Sequence, residues 1–151
     1  MERWLFGGFL LTAAVQDWRT KRVDVRVYLL FGGAALITIV WNVLNKGTLS
    51  GCNWKGCLGS ISIGVGLLLL GLLSRGEIGT GDGCFFIVSG LLLDFWENLL
   101  LLSYGTLLCG LYSLCCIVRS RFYIEETVTK RVVPFLPFLI PPGVWLLAYR
   151  F

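Results

Sequence analysis

The sequence contains no histidine, and its six cysteines include no C-x-x-C pair. Zinc sites are built largely from cysteine and histidine ligands, so a metal centre of that kind is excluded. Charge is also scarce: 15% of the residues are charged, and the apolar runs carry almost none. The net charge of +4 comes from basic residues in short loops, which is not the pattern of a nucleic-acid-binding surface. The sequence therefore predicts no metal, no cofactor and no nucleic-acid partner.

Apolar residues make up 56% of the chain, and the mean hydropathy is +0.79. A soluble domain has about 45–50% apolar residues, and a helix that crosses a bilayer needs about 17–25 of them in a row. We therefore predict an all-α, polytopic membrane protein in which residues 1–151 form a single membrane-embedded domain of about six transmembrane helices. The predicted spans are residues 4–16, 27–44, 57–74, 84–93, 99–118 and 132–149.

Two of these runs have unusual features. The run at 84–93 covers only about half of a bilayer core, so it is either a short helix buried among its neighbours or one half of a helical hairpin. The run at 132–149 holds all four prolines, which free backbone carbonyls, so we expect it to be kinked or broken and to line a cavity. In the run at 57–74, Gly64, Gly66 and Gly71 would allow close helix packing.

The basic residues indicate the orientation of the spans. With the first span retained rather than cleaved as a signal peptide, and the N-terminus outside the cytoplasm, nine of the thirteen basic residues fall in inner loops. This split follows the positive-inside rule. The inner residues are Arg19, Lys21, Arg22, Arg26, Arg75, Arg119, Arg121, Lys130 and Arg131; the outer ones are Arg3, Lys46, Lys55 and Arg150. Asp17 and Asp82 then lie at the cytoplasmic ends of two spans.

The segment at 77–83 contains a G-x-G-D motif that ends at Asp82. One interpretation is a solvated turn in which Asp82 caps the following helix, since aspartate and glycine are common at such positions. The other is a functional site, because ionisable groups beside membrane spans are costly and usually face a wet interior. The topology favours the second, since it gives Asp82 a partner, Asp17, on the same membrane face.

Two carboxyl groups a few ångströms apart resist joint ionisation, so the pKa of one is raised and the pair can share a single proton. One can then act as a general base on water while the other polarises a carbonyl, which is the chemistry of aspartic peptidases. Gly79 and Gly81 would allow sharp turns and close approach of a substrate main chain. Asp24 and Glu77 are weaker candidates because they lie among basic residues in loops. Asp94 and Glu97 are assigned to a turn at the opposite face.

The order of these motifs resembles the type IV prepilin peptidase family, whose members are aspartic peptidases of the G-x-G-D kind. The family's first motif, D-x-[RK]-x-x-x-[IV], matches residues 17–23, although Asp24-Val25 replaces the usual Pro-Asn. Its second motif, G-x-G-D, matches residues 79–82 in full, and the Pro-Phe-x-Pro-Phe segment at 134–138 is similar to the family's end. The large, methylating members carry an added domain with paired C-x-x-C motifs; no such motif occurs in this sequence, so the resemblance implies the short, peptidase-only form.

This resemblance implies a membrane aspartic endopeptidase that uses Asp17 and Asp82 to cleave the short basic leader from prepilin-like precursors: type IV pilins, pseudopilins or preflagellins. It would act at the cytoplasmic face of the inner, or cytoplasmic, membrane. The alternative is a non-catalytic protein, either a small transporter or an assembly partner in pilus formation or secretion. A transporter would need polar groups near the bilayer midplane, whereas the two aspartates are predicted at span ends. A disulfide between Cys52 and Cys57 is left open, as is the oligomeric state.

Overall fold

The computed structural model describes residues 2–20, 23–46, 54–74, 79–122 and 134–149. No strand occurs in these residues, and the predicted all-α class is confirmed. The described elements are α1 (Glu2–Thr20), α2 (Val25–Lys46), α3 (Trp54–Leu73), α4 (Thr80–Leu92), α5 (Phe95–Phe122), a 3₁₀ segment (Leu136–Leu139) and α6 (Ile140–Tyr149). The change from 3₁₀ to α geometry at Ile140 interrupts the last apolar run, as its prolines predict.

Three of the described helices are long and apolar enough to cross a membrane: Val25–Asn45, Gly56–Leu73 and Phe95–Arg119. Two shorter apolar helical stretches, Thr80–Leu92 and Leu136–Tyr149, accompany them. Large apolar side chains on the outer faces of α2 and α5 are solvent-exposed in the isolated chain, which fits contact with lipid. The structure therefore supports a multi-pass membrane protein, and the expected number of six crossings remains a prediction.

The short helix α4 is buried against α3 through close backbone contact. A Cβ atom added at Gly90 would lie 2.9 Å from the backbone carbon of Ser60, and one added at Gly83 would lie 2.9 Å from the backbone nitrogen of Leu68. Gly64 of α3 likewise faces the backbone of Ile87. Small residues allow this approach in membrane bundles. The prediction for Gly64 is thus confirmed, whereas the prediction for Gly66 is wrong, because a Cβ atom added there would meet nothing within 4 Å.

Replacing Gly90 with alanine should destabilise the protein, because the added methyl group meets the backbone of Ser60 and Ile61, which cannot rotate away. Overpacking of this kind costs about 1–3 kcal/mol. The matched control is Gly66→Ala, which adds the same methyl group to open space and gains helix propensity. Thermal unfolding in detergent should show a lower midpoint for Gly90→Ala only. Equal midpoints for the two variants would contradict the close contact between α3 and α4.

A buried asparagine on α5 fixes the other half of α4. The Nδ2 group of Asn98 donates to the backbone carbonyls of Ser60 and Phe86, both at 3.2 Å. The hydroxyl of Ser89 donates to Oδ1 of Asn98 at 2.8 Å. These bonds join α3, α4 and α5 inside an apolar environment, where polar groups need partners. They hold α4 in place, and with it the motif at its first turn.

The connection between α4 and α5 is the tight turn predicted from the acidic residues Asp94 and Glu97. Glu97 accepts a hydrogen bond from the backbone N–H of Asp94 at 3.1 Å, which is one half of a capping box at the start of α5. The predicted short run is therefore both buried and part of a helical hairpin. Helix α4 begins at Thr80, four residues before the predicted start, so the end of the G-x-G-D motif is helical and not a loop.

Candidate active site

Asp17 lies in the last turn of α1, where its side chain is only 8% exposed. Its Oδ2 atom accepts a hydrogen bond from the backbone N–H of Leu136 at 3.1 Å, and the N–H of Phe135 also donates to the carboxylate. The first N–H groups of a helix lack partners within the helix, and no side chain of the 3₁₀ segment caps its own start. Asp17 therefore caps this segment from a distant part of the chain.

Asp82 is the third residue of α4 and is half-buried. Its backbone N–H donates to the carbonyl of Gly79 at 3.1 Å, and Gly79, in an extended conformation, is the N-cap residue. The interpretation of Asp82 as the cap of this helix is thus wrong, because the helix starts before it and its side chain makes no capping bond. The carboxyl group is left available for another function.

The two glycines of the motif differ from their predicted role as sites of sharp turns. Gly79 has φ −63° and ψ 119°, a conformation open to other residues, and Gly81 lies inside the helix. What Gly79 provides is space: a Cβ atom there would lie 3.2 Å from Oδ2 of Asp82. The Gly81 carbonyl accepts a hydrogen bond from a side chain of α2. Gly79 therefore leaves room for the Asp82 carboxyl group, and the backbone of Gly81 ties the residue before Asp82 to α2.

The structure brings Asp17 and Asp82 within electrostatic range of each other, at the ends of α1 and α4 and outside the three long apolar helices. Burial raises the pKa of Asp82, and the charge of Asp17 raises it further, to about 7. Burial also raises the pKa of Asp17, but the backbone N–H groups of Leu136 and Phe135 oppose that increase. Both pKa shifts favour protonation, and a pKa of about 7 for Asp82 means that the pair retains a proton below neutral pH.

Three other acidic residues in the described part of the chain do not join this pair. Asp24 is exposed, and it is held by Gln16, whose Nε2 donates to Oδ2 of Asp24 at 3.3 Å and whose Oε1 accepts from its backbone N–H at 3.2 Å. Asp94 and Glu97 lie at the opposite end of α4. Glu77 and Cys52 lie outside the described residues, so the roles predicted for them stay predictions. Across the described ranges, no group of three or more acidic or cysteine side chains could hold a metal ion.

Sequence reasoning missed one residue next to the pair. Tyr28, near the start of α2, donates its hydroxyl hydrogen to the Gly81 carbonyl at 2.9 Å and lies within electrostatic range of Asp17, Asp82 and Cys84. Its ring meets Phe9 edge-on, with centroids 6.2 Å apart, and Phe9 stacks on Phe85 of α4 at 4.8 Å. The sequence does contain a signal for this residue: Tyr28 stands at the start of an apolar run, and the hydroxyl of a buried tyrosine usually has a hydrogen-bond partner.

Asp82 was predicted at the end of a membrane span, and its position relative to α5 differs from that prediction. Asp82 interacts electrostatically with Cys109, which lies near the middle of the 28 residues of α5. At ~1.5 Å per residue, α5 continues for about 20 Å beyond Cys109. Asp82 therefore lies at the start of its own helix but within electrostatic range of the middle of the longest one.

Comparison with known proteins gives one match. The family model described as the type IV leader peptidase family matches residues 4–114, which include both aspartates and the G-x-G-D motif. No curated protein and no solved structure matches the chain. The 3₁₀ segment that contacts Asp17 lies outside the matched residues.

Proposed function

Because the chain belongs to the type IV leader peptidase family, we propose that it is a membrane aspartic endopeptidase that removes short basic leaders from prepilin-like precursors. The family supports a leader-peptidase role and aspartic-type chemistry in general. The observation that carries the more specific proposal is the pairing of Asp17 with Asp82: backbone amides donate to the carboxylate of Asp17, and burial and the charge of Asp17 raise the pKa of Asp82 to about 7.

In the proposed reaction, the Asp17 carboxylate takes a proton from a water molecule, whose oxygen then forms a bond to the carbonyl carbon of the scissile peptide. The Asp82 carboxyl donates its proton to the carbonyl oxygen, which gives a neutral tetrahedral intermediate. The carbon–nitrogen bond then breaks, Asp17 passes its proton to the leaving amine, and Asp82 recovers its proton from the hydroxyl group. Peptide and water thus become an acid and an amine, and the pair returns to its initial state.

Each carboxyl is suited to its role by its environment. Leu136 and Phe135 stabilise the negative charge of Asp17 before the reaction, but they also make that carboxylate a weaker base. The partly buried site compensates, since burial acts in the other direction on the same group. Asp82, whose raised pKa results from burial and from the charge of Asp17, keeps the proton that polarises the substrate.

We place this chemistry at the cytoplasmic face of the inner membrane. The exposed Arg19 and Arg26 flank the connection between α1 and α2 beside Asp17, which fits the positive-inside rule. Two more of the predicted inner basic residues, Arg119 and Arg121, lie at the C-terminal end of α5. The others lie outside the described part of the chain: Lys21, Arg22, Arg75, Lys130 and Arg131. A substrate would then sit in the same bilayer through an apolar helix, with its basic leader reaching the pair from the cytoplasm.

The proposal can be tested by co-expressing the chain with a precursor that has a short basic leader followed by an apolar helix. Mass spectrometry of the precursor should show loss of the leader, with a new N-terminus at one defined bond. The double variant Asp17→Asn/Asp82→Asn provides the background. A precursor that stays intact but co-purifies with the chain would favour the assembly-partner alternative; an intact precursor without binding would favour a transporter.

A further inference from the structure

We infer that Tyr28 is a positioning residue for the aspartate pair: its hydroxyl fixes the first turn of α4 and thereby sets the position of Asp82 relative to Asp17. The inference rests on the proposed function for its catalytic consequence, but its structural part can be measured without a substrate. Neither the G-x-G-D motif nor the first-loop motif includes this residue.

The first argument is the bond itself. Gly81 directly precedes Asp82, and its carbonyl accepts the hydroxyl hydrogen of Tyr28 at 2.9 Å. The first turn of a helix is the part that frays most easily, because it has the fewest hydrogen bonds within the helix. A bond from another helix to this turn limits the movement of the residue that follows. Asp82 is that residue.

The second argument is the rigidity of the tyrosine. Tyr28 packs edge-on against Phe9, which is fully buried and stacks on Phe85, also fully buried. Phe85 belongs to α4, three residues after Asp82. The ring of Tyr28 is thus held by the same packing that joins α1 to α4. The position of its hydroxyl, and of the Gly81 carbonyl bonded to it, therefore depends on how α1, α2 and α4 pack together.

The third argument is electrostatic placement. Asp17 on α1 and Asp82 and Cys84 on α4 lie within range of the Tyr28 hydroxyl, and Cys109 on α5 lies within range of Asp82. Burial and the charge of Asp17 both favour the protonated form of Asp82. Proton retention by Asp82 therefore depends on its distance from Asp17 and on its burial. If the first turn of α4 loosens, both change in the direction that releases the proton.

Replacing Tyr28 with phenylalanine removes only the hydroxyl group and keeps the contact with Phe9. Leader cleavage should lose about 10- to 100-fold in kcat, the effect expected from small misplacement of reacting groups, with little change in KM. The alkaline limb of the pH profile should move to lower pH, because Asp82 releases its proton more easily. The matched control is Tyr104→Phe, which removes a hydroxyl from an exposed tyrosine of α5 and should leave both quantities unchanged.

An infrared titration makes the test independent of the substrate. The carbonyl stretch of the protonated Asp82 carboxyl can be assigned by its absence in Asp82→Asn, and its titration midpoint should fall in Tyr28→Phe but not in Tyr104→Phe. A lower kcat with an unchanged midpoint would overturn the positioning role and leave a general effect on folding. An unchanged midpoint together with unchanged kcat would overturn it as well. If the wild-type chain cleaves no precursor, the proposed function fails, and the infrared midpoint alone decides the role of Tyr28.

Discussion

Replacing either Asp17 or Asp82 with asparagine should reduce leader cleavage by about 10²- to 10⁴-fold, the usual contribution of a positioned acid or base. Asparagine keeps the size of the side chain but can neither take a proton from water nor donate one as a carboxylic acid does. Because the two carboxyls act as a unit, the double variant should lose hardly more activity than either single variant. Cleavage of a co-expressed precursor, followed over time by mass spectrometry, measures all three.

Asp17 needs a control of its own, because its carboxylate also caps the 3₁₀ segment. The carbonyl oxygen of asparagine can still accept the hydrogen bond from Leu136, so Asp17→Asn should fold normally and remain inactive. Asp17→Ala loses the acceptor and should be less stable by about 0.5–2 kcal/mol, as for other capping residues. If Asp17 were only a cap, the asparagine variant would cleave at nearly the wild-type rate. Near wild-type cleavage by Asp17→Asn would therefore contradict the proposed mechanism.

Asp24→Asn is the matched control for Asp17→Asn, because Asp24 is the other carboxylate near the first motif that could pair with Asp82. Asp24 is exposed and bound to Gln16, so this variant should retain cleavage within about twofold of wild type, as is usual for surface substitutions. Loss of activity in Asp24→Asn, with activity kept in Asp17→Asn, would reverse the assignment of the pair.

The sequence predicted the helices, and it singled out Asp17 and Asp82 as candidates; both inferences rest on local patterns. Long apolar runs become helices in a bilayer because every backbone polar group must be paired within the segment. The G-x-G-D motif and the aspartate at the end of the first span are visible as short patterns. The order of these patterns along the chain was enough to predict the family that the comparison confirms.

The parts that were not predicted depend on contacts between distant residues. Leu136 meets Asp17 across 119 positions, and the bond uses a backbone N–H, which every residue other than proline possesses. Tyr28 meets Gly81 across 53 positions, again through a backbone atom. A sequence motif shows which side chains are present, but it does not show which distant backbone atom will bond to them. The start of α4 at Thr80 was missed for a related reason, as were the open surroundings of Gly66. Both depend on which other helix packs against that part of the chain.

The position beside the middle of α5 bears on the transporter alternative. That alternative was set aside because both aspartates were predicted at span ends, away from the midplane. They do lie at the ends of α1 and α4, but Asp82 is within electrostatic range of Cys109, near the centre of a 28-residue helix. Depth alone therefore no longer separates a peptidase from a proton relay. Cleavage of a co-expressed precursor separates the two, because a proton relay would leave the precursor intact.

The pH dependence of cleavage should be bell-shaped, because the proposed reaction needs Asp17 ionised and Asp82 protonated. On the alkaline side, activity should begin to fall near pH 7, where Asp82 loses its proton, and then decline about tenfold per pH unit. On the acid side, activity should fall where Asp17 takes up a proton, above the ordinary aspartate value of 3.8 because burial raises its pKa. Initial rates of cleavage measured across buffers of constant ionic strength give both limbs. A profile that stays flat from pH 5 to 9 would contradict the shared proton.

The raised pKa of Asp82 also makes the stability of the protein depend on pH, which can be tested without a substrate. Linkage between protonation and folding fixes the direction of this dependence. The folded state holds a proton on Asp82 up to about pH 7, whereas the unfolded state releases it near 3.8, so between these values the folded state binds more protons. The free energy of unfolding must then decrease as pH rises through this window. In Asp82→Asn that contribution is absent, and the thermal midpoint should depend less on pH between 4 and 7 than in wild type. Because Asp17 shifts in the same direction, some dependence should remain in this variant, and it should disappear only when both aspartates are replaced.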